Sequence, residues 1–166
     1  SFSSDSGDVT PTTHGLSDYW VVKLNASGTI VWDKLLGGTG EEILYAIDQT
    51  SDGGYIASGY TTSSANGNVT GTISGIFDFW VIKLNATGVV QWNKLIGGNQ
   101  EEISYCIQEI SGGGYIVAGS STSSTSGNIT GINHGGTDYL IVKLDASGNI
   151  LWNKLLGGSS FESAIS

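Results

Sequence analysis

Asp18-Tyr19-Trp20-Val21-Val22-Lys23-Leu24 returns as Asp78-Phe79-Trp80-Val81-Ile82-Lys83-Leu84 and again as Asp138-Tyr139-Leu140-Ile141-Val142-Lys143-Leu144, each time after 60 residues. The stretch Val31-Trp32-Asp33-Lys34-Leu35-Leu36-Gly37-Gly38 keeps the same spacing, recurring over residues 91 to 98 and 151 to 158 without insertion or deletion. A period this strict means one supersecondary unit copied along the chain. Within the opening stretch Trp20, Val22 and Leu24 fall on one side of a strand, and Tyr19 and Val21 on the other. Both faces are apolar, so such a strand has to be covered on both sides.

Working outward, turn chemistry divides one unit into four strand-like runs. Residues 18 to 25 are closed by Ala26-Ser27-Gly28, and residues 29 to 36 by Gly37-Gly38. Residues 42 to 49 lead through Ser51-Asp52-Gly53-Gly54 to a fourth run at 55 to 60. Four-stranded antiparallel sheets packed face to face against neighbouring copies meet the demand for cover on both sides, which is the β-propeller arrangement. A four-stranded solenoid or a string of separate small sheets fits less well, because one unit alone buries too little. The expected fold is all-β: propeller blades of about 60 residues in one segment spanning 1 to 166, with repeats 1 to 60, 61 to 120 and an incomplete 121 to 166.

Composition agrees. The chain has 166 residues, 39% hydrophobic and only 13% charged, with 26 glycines and one proline, which suits short strands joined by many turns. The net charge is −9, and all six basic residues are lysines at repeat-equivalent positions. A surface that tracks phosphates needs clustered Arg and Lys, so nucleic acid is not an expected partner. No apolar run approaches the roughly 20 residues that span a bilayer as a helix. Cys106 is the single cysteine; its counterparts Ala46 and Ser166 mark a small core position rather than a reactive thiol. The sequence contains no Met and opens on no export signal, so it reads as a mature product or an internal segment.

Three motifs resemble a known family: the Gly-Gly-x-x-acidic-acidic step at 37 to 42 and 97 to 102, the Gly-Gly-Tyr-Ile strand starts, and the Asp-aromatic-Trp-Val-x-Lys-Leu strands. Together they resemble the seven-bladed-propeller-type repeats of large secreted bacterial proteins, abundant in Bacteroidetes surface proteins, over essentially the whole chain. The resemblance implies innermost strands at 42 to 49, 102 to 109 and 161 to 166, and outermost strands at the Trp-Lys-Leu runs. It also implies half a blade, two whole blades and the start of a fourth, whose partners are other blades of the same or neighbouring chains. A secreted or cell-surface location follows from it.

The residues that invite chemistry are better explained by the repeat. Glu41-Glu42 and Glu101-Glu102 look like paired carboxylates, but neighbours on a strand point to opposite faces. They are expected at strand starts, bonding nearby amides or hydrating a channel rim. Trp32, Trp92 and Trp152 recur with Lys34, Lys94 and Lys154 and are expected to cover lysine stems. His14 and His134 stand where the second copy has Ser74, with no nucleophile motif beside them. The sequons at Asn25, Asn68, Asn85 and Asn128 fall on turns, and Asp145 replaces the first of them in the third copy.

What varies is the seventeen-residue connection at 1 to 17, 61 to 77 and 121 to 137, where binding specificity on a rigid scaffold tends to reside. Its candidate binding residues are Asn66, Asn68 and Asn128, with His14 and His134. Asp5 and Asp8 are the candidate calcium ligands; only the first copy carries two Asp and no EF-hand spacing is present, so no cofactor is expected. The reading is a non-catalytic, extracellular scaffold or adhesin-like binding module that meets glycans or surface proteins. The alternatives are a carbohydrate-binding propeller and a non-catalytic segment of a secreted propeller enzyme.

Overall fold

A computed structural model describes residues 7 to 162. Among these residues there is no helix, and ten strands follow one another: β1 (Tyr19–Leu24), β2 (Ile30–Leu36), β3 (Glu42–Gln49), β4 (Tyr55–Thr61), β5 (Asp78–Leu84), β6 (Val90–Ile96), β7 (Glu102–Glu109), β8 (Tyr115–Ser121), β9 (Asp138–Leu144) and β10 (Ile150–Leu156). They pair antiparallel into a two-stranded sheet β1-β2 and two four-stranded sheets, β3-β4-β5-β6 and β7-β8-β9-β10. The four runs read from one repeat are all present within a residue or so of their expected ends. A repeat is therefore split between sheets: its first two strands close one sheet, and its last two open the next. Of the expected inner strand at 161 to 166, Phe161 makes a parallel bridge to Thr137, and residues 163 to 166 lie outside the described residues.

Local chemistry sets the turns. Asn25 Oδ1 accepts hydrogen bonds from the backbone N–H groups of Ser27 and Thr29, at 3.0 and 2.9 Å. Asn85 and Asp145 repeat the arrangement. Gly28, Gly88 and Gly148 complete these turns at φ of 80°, 77° and 81°, a region that L side chains avoid. The sequon position is thus occupied by a turn-forming side chain.

Burial joins the sheets. Between the first and second sheets lie Tyr19, Val21, Leu36 and Val69 against Trp80, Ile82, Leu84 and Leu95. The Tyr19 and Trp80 rings stand 4.7 Å apart, and the Tyr19 hydroxyl donates to the Trp80 carbonyl at 3.2 Å. Between the second and third sheets, Ile56, Phe79, Val81 and Ile96 meet Val117, Leu140, Val142, Leu144 and Leu155. A buried hydrogen bond from Ser104 to Ser58, 2.8 Å long, crosses the same interface. Every residue of β5 is buried, as a strand apolar on both faces requires. Filling such an interface supplies about 1.5 to 3 kcal/mol per large apolar side chain.

The tryptophans lock successive repeats together. Trp32 Nε1 donates to the Ala86 carbonyl at 3.2 Å, so its ring lies on the turn of the next repeat. The Trp92 ring likewise lies on the Gly148 turn, where a Cβ would come within 2.9 Å of the indole. Lysine stems are placed directly across the strand pair from these rings, Lys23 opposite Trp32 and Lys83 opposite Trp92. The cation-π contact itself runs from Lys23 to Tyr55, at 5.2 Å. Lys83 is buried and donates to Asp52, Gln91 and the Leu84 carbonyl.

Candidate functional site

The loops that follow β2 and β6 carry the acidic pairs. Glu42 is fully buried; its Oε2 accepts from the Gly38 N–H at 2.7 Å and its Oε1 from the Thr61 hydroxyl at 2.5 Å. Glu102 repeats this with Gly98 at 2.7 Å and Ser121 at 2.6 Å, and Glu162 bonds Gly158 at 2.9 Å. These carboxylates close the Gly-Gly turns. The neighbouring Glu41 takes a different partner, the Tyr60 hydroxyl at 2.8 Å, and this bond adds to burial in holding the Tyr60 phenol above its ordinary range. Adjacent glutamates therefore do separate jobs.

A second buried carboxylate faces each of these turns. Asp18, Asp78 and Asp138 are at most 1% exposed, and each accepts a backbone N–H four residues upstream, from His14, Ser74 or His134. A Cβ on Gly157 would stand 2.5 Å from Asp138 Oδ1 and 2.6 Å from Glu162 Oε2, and Gly97 has Asp78 and Glu102 around it in the same way. The paired acids thus press on a site only glycine can fill. Burial, and then the Glu102 charge, raise the Asp78 carboxyl to about 6 against the pull of the Ser74 amide. His134 Nδ1 lies 3.1 Å from Asp138 Oδ2, and His14 Nδ1 lies 3.5 Å from Asp18 Oδ2. The two histidines are thus anchored by the repeat aspartate, and Ser74 keeps only the backbone bond.

The long connections fold back onto the Gly-Gly loops. Asn66 Oδ1 accepts from the Thr39 N–H at 2.6 Å, Asn68 Oδ1 from the Gly37 N–H at 3.1 Å, and the Asn68 N–H donates to the Gly37 carbonyl. Ser63 and Thr62 take the amides of Gly40 and Glu41. Asn128 keeps the backbone bond to the Gly97 carbonyl, and its own carbonyl accepts from Asn153; Asn128 itself is exposed. The oxygen-rich composition of these connections thus serves to satisfy loop amides that strands leave unpaired. Of the candidate calcium ligands, Asp5 lies outside the described residues and Asp8 is exposed beside Trp20, Val22 and Leu24. Among the described residues no three His, Cys, Asp or Glu side chains come together in a group able to hold a metal.

Sequence reasoning placed β3 and β7 correctly but missed the bulges within them. The β3/β4 register shifts between Leu44 and Ala46, and the β7/β8 register between Ser104 and Cys106. Tyr45 and Tyr105 are the extra residues of these bulges, a device that re-aims a side chain. Their rings meet edge-on at 5.3 Å, Tyr45 also leans on Tyr60, and Tyr60 on Phe77 at 4.8 Å. Tyr45 is half exposed. In the next repeat Tyr105, Glu101, Ile103 and Phe161 line a groove of about 220 Å³, with Phe161 largely in solvent. The signal was there to read: the same Tyr sits in Leu44-Tyr45-Ala46-Ile47 and Ser104-Tyr105-Cys106-Ile107, where strict alternation fails.

This aromatic strip, flanked by Glu41 and Glu101, is a surface able to take a ligand. It can offer ring faces and carboxylate acceptors. The buried acids of the Gly-Gly loops hold amides and hydroxyls in place and touch little solvent. No protein-family model matches the sequence, and no curated protein matches it either.

Proposed function

We propose that the chain is a non-catalytic, extracellular or cell-surface scaffold built of β-propeller blades, with the inner-strand aromatic strip as its contact surface. The observation that carries this is the use of the reactive side chains. Glu42, Glu102 and Glu162, the three aspartates, Asn66, Asn68 and Lys83 bond to the framework's own backbone and hydroxyls. An enzyme site breaks repeat symmetry, whereas the glutamates and the aspartates follow it. Sheets of four antiparallel strands stacked on their faces, the two-sided apolar β5, and the secreted-repeat motifs support the blade reading. Low charge and a composition rich in Gly, Ser, Thr and Asn support an extracellular setting.

The bulged tyrosines favour one second reading, a lectin, because exposed rings beside carboxylates suit the apolar face and hydroxyls of a sugar. An array of bacterial and plant polysaccharides separates the two. The scaffold reading expects no saturable hit and an unchanged profile for Tyr45→Ala. A hit lost in Tyr45→Ala would establish the lectin and displace the protein-binding scaffold.

A further inference from the structure

Charge is sorted by strand. All six lysines lie on β1, β2, β5, β6, β9 and β10, and none on β3, β4, β7 or β8. The opposite edge of each four-stranded sheet is β3 in one and β7 in the other, and Glu41, Asp48, Glu101 and Glu109 stand partly exposed on or just before these strands. The one ion pair that a lysine makes among the described residues, Lys83 with Asp52, is at the turn beyond β3. On this acidic edge the two bulges aim Tyr45 and Tyr105 at one another. Rings 5.3 Å apart and inclined at 63° form a corner, and Tyr45 is 50% exposed. The corner is built between two complete four-stranded sheets. Burial first, then Tyr105 and Glu41, hold the Tyr45 phenol above its ordinary range, so the ring stays neutral with an electron-rich face. Glu41 Oε2 accepts from the Tyr60 hydroxyl at 2.8 Å, and among the described residues its Oε1 has no hydrogen-bond partner.

We propose that the Tyr45-Tyr105 corner binds an arginine side chain of a partner protein, with the guanidinium lying on the Tyr45 ring and donating to Glu41. The inference rests on the aromatic strip being the contact surface, and it names what that surface contacts. Charge complementarity and geometry choose the occupant. A chain of net charge −9 that keeps its lysines off this edge attracts a cation there. A planar guanidinium stacks on a ring while its fork of donors reaches a carboxylate, so arginine gains from ring and acid together. A lysine ammonium is a strongly hydrated point charge and gains less from the ring. The sorting of charge gives a neutral sugar no advantage.

NMR titration of the isotope-labelled chain with hexa-arginine and with hexa-lysine at matched ionic strength provides the test, alongside hydroxyl-radical footprinting of Tyr45 in the free chain. Hexa-arginine shifts the Tyr45 and Tyr105 ring resonances saturably and binds about 3-fold more tightly than hexa-lysine. Tyr45→Leu keeps an apolar side chain at a half-exposed position, removes the ring and weakens hexa-arginine about 3-fold. Glu41→Gln keeps an acceptor for the Tyr60 hydroxyl, removes the charge and also weakens hexa-arginine. With Tyr45 readily oxidised in the free chain, three results each overturn the inference and leave the strip as the contact surface: no ring shift, equal affinity for the two peptides, or either variant binding hexa-arginine as tightly as the wild type. A Tyr45 ring protected from oxidation in the free chain means that the strip is covered, and overturns the contact surface and the inference together.

Discussion

Replacing Glu102 by Gln keeps the side chain's size and removes the charge that closes the second Gly-Gly turn. Glu102 accepts from the Gly98 N–H at 2.7 Å and the Ser121 hydroxyl at 2.6 Å with no solvent access. Gln offers one carbonyl in place of two carboxylate oxygens, so one donor meets an NH2 group. Losing a hydrogen bond to a charged acceptor costs about 1.5 to 3 kcal/mol. An opposing effect arises at Asp78. Its carboxyl rises from 3.8 to about 6, by burial first and Glu102 second. At about 1.36 kcal/mol per pH unit, the whole shift disfavours folding by up to about 3 kcal/mol above the folded pKa, and of the two raising causes Glu102 is the smaller. Because the folded state keeps a proton that the unfolded state has lost, wild-type stability declines as pH rises from 3.8 through about 6. Removing Glu102 relieves repulsion only where Asp78 is ionised. The variant is therefore destabilised by about 2 kcal/mol near pH 5 and by less near pH 8. For a chain of this size that is a Tm loss of about 2 to 4 °C per kcal/mol. Urea unfolding of both proteins at the two pH values, at matched ionic strength, measures it, and taking the difference cancels whatever is common to the two proteins. Equal stability at both pH values, or a larger loss at the higher pH, would refute the carboxylate-pair account.

Three further perturbations test the packing. Trp80→Ala empties a fully buried site and loses its Nε1 bond to Asn93, costing about 3 to 5 kcal/mol in denaturant melts, whereas Trp20→Ala, at a site 37% exposed, loses its Nε1 bond to Asp33 and costs less, about 1 to 2 kcal/mol. Gly119→Ala drives a Cβ into the Ile103 carbonyl of the neighbouring strand and lowers stability by more than about 2 kcal/mol; a Tm within a degree of wild type contradicts the β7/β8 register. Lys83→Met removes a buried ammonium from Asp52, whose carboxyl is held far below its usual range by the Thr50 hydroxyl first and Lys83 next. An NMR titration then finds the Asp52 pKa raised in the variant yet still below the ordinary value, because Thr50 and Gly54 remain.

Much of the fold was legible because it is periodic. The copies of Asp-aromatic-Trp-Val-x-Lys-Leu set the strand positions, the apolar alternation on both faces demanded stacking, and Asn25, Asn85 and Asp145 marked their turns. Other features depend on which sheet faces which, and period alone does not carry that. Asp78 and Glu102 are separated along the chain and meet only because the Gly97 loop folds between them. Trp32 looked like cover for Lys34 on its own strand, but sheet stacking sends its ring to the Ala86 turn of the next repeat. The oxygen-rich connections looked free to bind a ligand, because a sequence does not show that the Gly-Gly loops leave amides for Asn66 and Asn68 to satisfy. Tyr45 and Tyr105 were passed over because a bulge shifts a residue off the alternation by which strands are read.

The contact on which the stacked arrangement depends most is the one between Tyr19 and Trp80, from different repeats and different sheets. Nuclear Overhauser spectroscopy on the isotope-labelled chain measures it directly. Rings 4.7 Å apart give strong cross-peaks between the Tyr19 ring protons and the Trp80 indole, with matching ones from Phe79 to Leu140 at the next interface. Sheets that fold singly, with Tyr19 and Trp80 showing no cross-peak, would contradict the account.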